Sequence, residues 1–185
     1  MTQLLRLKHW QLFLISWGPL TAFFLLLFFQ PELIGETLLV WIIYFPVCLW
    51  NSFAWIWTIV MKLIPTIAPD KRPSVKLFRI CFWITATFVF YIVGYLYFNF
   101  FVRKIARFSP ELEKIIHIGM IALSLICIAY GLFVTAKTIK TAELDRNPKT
   151  REFMLEFVLI FMTPIGLWIL QPRLNKIIYR RHYQQ

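Results

Sequence analysis

Long uncharged apolar stretches alternate with short basic segments along this chain. Four stretches contain no Asp, Glu, Lys or Arg and are close to the roughly 20 residues that a helix needs to cross about 30 Å of hydrocarbon. They are 11–29, 37–61, 80–102 and 115–136. A fifth stretch, 157–172, would be only roughly 24 Å long as a helix. The pattern predicts an all-α, polytopic transmembrane helix bundle with four full spans and a short fifth membrane segment, in one domain over 1–185.

The fifth segment contains helix-breaking residues, Pro164 and Gly166, and ends with polar groups at Gln171 and Arg173. These four residues are a candidate helix-break site. Two topologies stay open, a re-entrant segment that returns to its own side and a fifth full span. If the fifth segment is re-entrant, a larger share of the 20 Lys and Arg residues lies on one side of the membrane, as the positive-inside rule favours. Both topologies place the N-terminus in the cytoplasm.

Composition supports a membrane environment. Hydrophobic residues make up 59% of the chain and the mean hydropathy is +0.67, whereas soluble domains are about 45–50% apolar. A soluble fold of 185 residues has too small a core to bury 19 Phe and 8 Trp. Kinks are expected where proline interrupts the apolar stretches, at Gly18-Pro19 and at Pro46, because proline lacks the backbone donor of a helical turn.

Polar side chains inside the spans are few. Asn51, Ser52 and Asn99 are possible intramembrane contacts, and an interhelical hydrogen bond is their usual role in lipid, with ion or substrate coordination as the alternative. Glu156 and His117 lie near span ends, where an ionisable side chain can reach water. The first four spans contain no Asp, Glu, Lys or Arg, which argues against a proton relay, a voltage sensor or a carrier built on buried carboxylates.

Helical spacing continues beyond the fourth apolar stretch, through Lys137, Lys140 and Glu143. A helix that projects into water in this way offers a possible docking surface for another protein. The tail after Arg173 is basic and partly apolar, which suits the anionic headgroups of a lipid bilayer. Nucleic acid is not expected as a partner, because basic runs beside membrane segments usually serve orientation and lipid contact.

Signatures of enzymes are missing from the sequence. It contains no nucleophile elbow, zinc-protease helix, phosphate loop or dinucleotide fingerprint, so we assign no catalytic residue, metal ligand or cofactor. The three cysteines give no disulfide framework, and the three histidines have no metal-ligand spacing; these residues are Cys48, Cys81, Cys127, His9, His117 and His182.

Both ends of the chain resemble a family of small, uncharacterised membrane proteins of Bacteroidota. The segments that carry the resemblance are Leu-Lys-His-Trp-Gln-Leu-Phe-Leu at 7–14 and Pro-Ile-Gly-Leu-Trp-Ile-Leu-Gln-Pro-Arg-Leu-Asn-Lys at 164–176. The resemblance implies a location in the bacterial cytoplasmic (inner) membrane and implies no activity.

Three functions are compatible with these features. The leading hypothesis is an accessory or assembly subunit that acts through contacts with another membrane protein or with copies of itself. The alternative is a small transporter or an oligomeric pore, in which Pro164, Gly166, Asn51 and Ser52 would line a path between helices. An intramembrane lipid-modifying enzyme is the third.

Overall fold

The chain is all-helical, as the sequence predicts. A computed structural model describes residues 8–29, 34–101 and 110–182. These residues form seven α-helices and no strand. The helices are α1 (His9–Ser16), α2 (Gly18–Phe29), α3 (Ile34–Leu63), α4 (Val75–Phe101), α5 (Pro110–Leu144), α6 (Thr150–Phe161) and α7 (Thr163–His182).

Within residues 8–29, 34–101 and 110–182, three helices are long and apolar enough to cross a membrane. The stretches that meet this requirement are Pro46–Thr66, Val75–Tyr95 and Lys114–Leu144, in α3, α4 and α5. They overlap the predicted second, third and fourth spans, and they associate the chain with a membrane. The helix of the predicted fourth span, α5, also continues past residue 136 into polar sequence, as its pattern predicts.

The predicted first span is interrupted at Trp17, next to Gly18-Pro19. Trp17 has φ −124° and ψ −19°, outside the helical range, and separates α1 from α2. Backbone hydrogen bonding nevertheless continues across the break, since Trp17 N–H donates to the carbonyl of Phe13 and Thr21 N–H to that of Trp17, both at 2.8 Å. Pro19 has no N–H to donate, which explains why the helix is irregular at this point.

The connection between α3 and α4 and the turn between α5 and α6 lie at the same end of the molecule. The connection contains two 3₁₀ turns, Ile64–Thr66 and Pro69–Lys71. The Lys71 Nζ donates to the carbonyl oxygen of Asp145 at 2.8 Å. Asp145 follows the last residue of α5 with φ +54°, the left-handed conformation that often ends a helix.

An arginine–glutamate pair fixes the start of α6. Arg146 donates from Nη2 to Glu152 Oε1 at 2.6 Å and from Nη1 to Oε2 at 3.0 Å. The backbone N–H of Lys149 also donates to Glu152 Oε2, at 2.7 Å. The Arg146 hydrogen bonds, followed by the Lys149 backbone donor, lower the pKa of the Glu152 carboxyl. Glu152 therefore stays ionised in the positive field at the helix N-terminus.

The last two helices fold back on each other at Met162, and we call residues 150–182 the C-terminal hairpin. Arg173 Nη1 of α7 lies 3.5 Å from Glu156 Oε1 of α6. On one straight helix these residues would be about 25 Å apart, far beyond the reach of their side chains. The predicted fifth segment, 157–172, is thus divided between α6 and α7. The helix itself is longer than the apolar segment, because α7 continues through Pro172 to His182.

The core is built around one face of α3. Trp55, Ile59, Val60 and Leu63 are at most 1% exposed. Buried side chains from the other elements complete the same cluster, among them Leu12, Phe78, Val134, Ile139, Phe153, Ile160, Leu167, Leu170 and Leu174. The hairpin is therefore part of the packed core and does not lie loosely on its surface.

Candidate functional site

The turn of the C-terminal hairpin depends on close backbone contact. Gly166, in the first turn of α7, lies so near the end of α6 that a Cβ atom at this position would overlap the carbonyl oxygen of Leu159. Its N–H donates to the carbonyl of Met162 at 2.9 Å, and the Thr163 hydroxyl donates to that of Ile160 at 2.8 Å. Pro164 is half-buried in the same turn. Of the four predicted break residues, Pro164 and Gly166 thus lie at the bend of the hairpin, whereas Gln171 and Arg173 lie further along α7.

Four charged side chains from three helices meet around Glu156, and we call them the ion network: Lys140, Glu143, Glu156 and Arg173. Lys140 Nζ lies 2.9 Å from Glu143 Oε2 and 3.2 Å from Glu156 Oε1. Arg173 contacts the same two carboxylates at 3.6 and 3.5 Å. Each cation therefore bridges both acids, and the formal charges of the four groups cancel.

Burial makes this network different from a surface ion pair. The side chain of Glu156 is 1% exposed and that of Lys140 is 18% exposed, while Arg173, at 39%, reaches the surface. An ion left without its partner at such a depth costs several kcal/mol, so each member depends on the others. Within the described part of the chain, Glu156 Oε2 is buried and has no hydrogen-bond partner. The balanced network joins the hairpin to the last turns of α5.

A second polar contact joins α7 to α3. The indole Nε1 of Trp55 donates to Gln171 Oε1 at 2.8 Å, and both side chains are at most 1% exposed. The Gln171 Nε2 in turn lies 3.4 Å from Asn175 Oδ1, one turn later on α7. A buried indole N–H normally requires such an acceptor. Trp55 was not among the predicted site residues, because a tryptophan near a span end is usually an interfacial anchor.

The predicted docking residues lie at the end of α5, and two of them belong to the ion network. Lys140 and Glu143 already hold partners inside the chain, and Lys137, one turn earlier, is half-buried. A partner protein at this surface would compete with the hairpin for Lys140 and Glu143. Their docking role stays a prediction.

The predicted intramembrane polar contacts lie on other helices. Ser52 is buried, and its hydroxyl donates to the Cys48 carbonyl at 3.1 Å within α3. Asn51 is half-buried one turn before Trp55. The side chain of Asn99 lies outside the described residues. Ser52 therefore satisfies its hydroxyl within its own helix.

A separate polar contact joins α4 to α5. The hydroxyl of Tyr91 and Nε2 of His117 are 3.2 Å apart, and the ring of Tyr95 packs edge-on against His117 at a centroid distance of 4.2 Å. His117 lies in the half of α5 remote from the ion network, which is at the other end of that helix. A small pocket between α3, α4 and α5, lined by Phe53, Phe82, Cys127 and neighbouring apolar residues, is likewise separate from the hairpin.

Comparisons with family models, with curated proteins and with solved structures give no match for this chain. The resemblance of its two ends to Bacteroidota membrane proteins therefore stays an expectation and gives no residue a role. The candidate site is defined by its geometry alone, as a buried ion network and a Trp–Gln hydrogen bond that hold a folded-back helix pair against the bundle.

Proposed function

We propose that this chain is an integral protein of the bacterial cytoplasmic membrane that works as an accessory or assembly subunit, through contacts with another membrane protein or with copies of itself. The observation that carries the proposal is the outward face of α5. Exposed positions recur along it at helical spacing: Ile115, Gly119, Ala122, Ile126, Ala129 and Phe133. Three of the six are Gly or Ala, the residues that allow membrane helices to approach closely.

The inner face of α5, in contrast, packs within the chain itself. It packs against α3, α4 and α6, and its buried threonines donate to carbonyls of their own helix, as Thr135 does to Gly131 and Thr138 to Val134, both at 2.7 Å. These threonines are thus satisfied inside the bundle, while the outward face is apolar and includes the small residues Gly119, Ala122 and Ala129. In lipid, helix association depends on close packing, so a face of this kind favours a partner helix.

The test replaces Gly119 by Ile. A Cβ at Gly119 meets no atom within 4 Å, so the larger side chain leaves the fold of a single chain undisturbed and obstructs only a helix packed on the outside. We expect the purified complex to dissociate to single chains, measured by native mass spectrometry after gentle extraction. The mass of the wild-type complex also distinguishes a homo-oligomer from a complex with a foreign subunit.

Gly94 of α4 provides the matched control. It is exposed, and a Cβ there also meets no atom within 4 Å, so Gly94→Ile adds the same apolar bulk to the neighbouring helix. Association that survives Gly119→Ile, or that is lost equally in both variants, would show that the outward face of α5 is not the contact.

The proposed arrangement in the membrane has four full spans and a re-entrant hairpin, with the N-terminus in the cytoplasm. Two observations support it. The contact between Lys71 and Asp145 brings the basic loops after α3 and α5 to one end, where the positive-inside rule expects the cytoplasm. A 12-residue α6 is only about 18 Å long and turns back before a bilayer would be crossed.

A small transporter or pore is the second candidate, and the hairpin itself favours it. Broken helices at membrane depth often surround a substrate path, and buried ionisable residues such as Glu156 often mark one. Ion flux into vesicles that contain the purified chain would support this function if Glu156→Gln abolished it. Vesicles that stay sealed at every voltage and pH would exclude it.

A further inference from the structure

Four exposed cations surround the junction between α3 and α4, and we call them the basic corner: Lys62, Arg72, Lys76 and Arg79. Lys62 lies in the last turn of α3, Arg72 in the connection, and the other two in the first turns of α4. Lys76 and Arg79 are three residues apart on α4 and so project from one side of the helix.

Contacts at the α3–α4 junction hold two of these cations in place. The Arg79 Nη2 of α4 lies 3.9 Å from the sulfur of Met61, the residue before Lys62 on α3. Arg72 is fixed to its own loop, since Nε donates to the Ile67 carbonyl at 2.7 Å and Nη2 to that of Pro65 at 3.4 Å. Its position is therefore set before any ligand arrives, which lowers the entropic cost of binding.

Carboxylates do not neutralise the basic corner. Across residues 8–29, 34–101 and 110–182, the ion pairs between side chains involve Lys140, Arg146 and Arg173, and none involves the four corner cations. Asp70 is the acid of the α3–α4 connection and is itself exposed. The corner thus carries unbalanced positive charge, unlike the ion network at the same end of the molecule.

The position of the corner along α4 corresponds to headgroup depth. Directly after Arg79, the large side chains of Ile80 and Trp83 are 56% and 59% exposed, which suits lipid contact. Tryptophan is enriched where hydrocarbon meets headgroups. Arg79, one turn before Trp83, then stands at the level of lipid phosphates, and Lys76 lies one further turn toward the water.

We propose that the basic corner binds the phosphate of an anionic phospholipid headgroup. The sequence places such a contact at the basic tail. In the structure Arg173, at the start of that tail, is engaged in the ion network, and the tail contact stays a prediction. The corner cations are exposed and have no carboxylate partner among the described residues. Arg72 and Arg79 supply guanidinium N–H groups to phosphate oxygens, and Lys62 and Lys76 supply charge.

The experiment uses the full chain in phosphatidylcholine nanodiscs with and without phosphatidylglycerol, and native mass spectrometry counts the phosphatidylglycerol molecules retained. We expect the wild type to retain phosphatidylglycerol in preference to phosphatidylcholine. The triple variant Lys62→Gln/Lys76→Gln/Arg79→Gln should weaken this retention by about tenfold or more, since each near-surface cation attracts anionic lipid.

The matched control is Lys137→Gln/Lys149→Gln/Arg151→Gln, which removes the same charge from the neighbouring α5–α6 region. It should retain phosphatidylglycerol as the wild type does. Equal loss in both triple variants would mean that net charge alone attracts the lipid, and unchanged retention in the corner variant would mean that the corner does not bind it. Either result overturns the proposal.

Discussion

Glu156 is the residue on which the attachment of the C-terminal hairpin depends most. Its Oε1 accepts a hydrogen bond from Lys140 of α5 and lies 3.5 Å from Arg173 Nη1 of α7, and its side chain is 1% exposed. The Glu156 carboxylate balances part of the positive charge of Lys140 and Arg173. Without it, Glu143 would be the one remaining acid of the network for both cations. The network thus stabilises the fold because it is complete, and replacing one member affects all of them.

Replacing Glu156 by Gln tests this dependence. The substitution keeps the shape of the side chain and removes its charge, so Lys140 and Arg173 lose half of their compensation. We expect the free energy of unfolding to fall by about 1–3 kcal/mol, measured by thermal or denaturant unfolding in mild detergent.

Asp70→Asn is the control, since it removes a carboxylate from an exposed position at the same end of the molecule. It should change stability by less than about 0.5 kcal/mol. If the Glu156→Gln protein unfolded at the same midpoint as the wild type, the ion network would not be stabilising.

At the scale of elements, the hairpin is set by one close approach between α6 and α7. Gly166 has no side chain, and the Leu159 carbonyl occupies the place where a Cβ would stand. The end of α6 cannot yield easily, because Ile160 is 0% exposed and lies in the core. The hairpin angle and the packing of α7 are therefore coupled.

Gly166→Ala should consequently open the hairpin. The added methyl group overlaps backbone, which cannot rotate away as a side chain can, so we expect a loss of about 1–3 kcal/mol in stability. Thermal unfolding measures the effect, and Gly94→Ala is the control because nothing lies within 4 Å of its added Cβ. A Gly166→Ala protein that is as stable as this control would contradict the close contact.

Local signals explain which elements could be predicted from the sequence. The kink beside Pro19, the end of α5 near Asp145 and the break near Pro164 each follow from a residue that changes the local backbone. Partners far apart in sequence have no such signal. The contact of Trp55 with Gln171 joins residues 116 positions apart, and the ion network requires that α7 first fold back onto α6.

At the scale of the whole molecule, the re-entrant and five-span topologies differ in the side of the membrane on which α7 ends. The α3–α4 connection and the α5–α6 turn share one end, through Lys71 and Asp145. Since Arg173 contacts Glu156 and Glu143 near that end, α7 runs back toward the end of the molecule at which α6 begins. A fifth full span would instead carry the tail to the opposite side and separate Arg173 from both carboxylates.

Single cysteines introduced at Ser74, Asn147 and Tyr179 distinguish these topologies. All three positions are exposed, and the background would have Cys48, Cys81 and Cys127 replaced by Ala. We expect a membrane-impermeant maleimide to label the three cysteines from the same side of sealed vesicles, because the hairpin returns α7 to the end where it began. Labelling of Tyr179→Cys from the side opposite to the other two would mean that the fifth segment crosses, and in that case the ion network could not form as the structure has it.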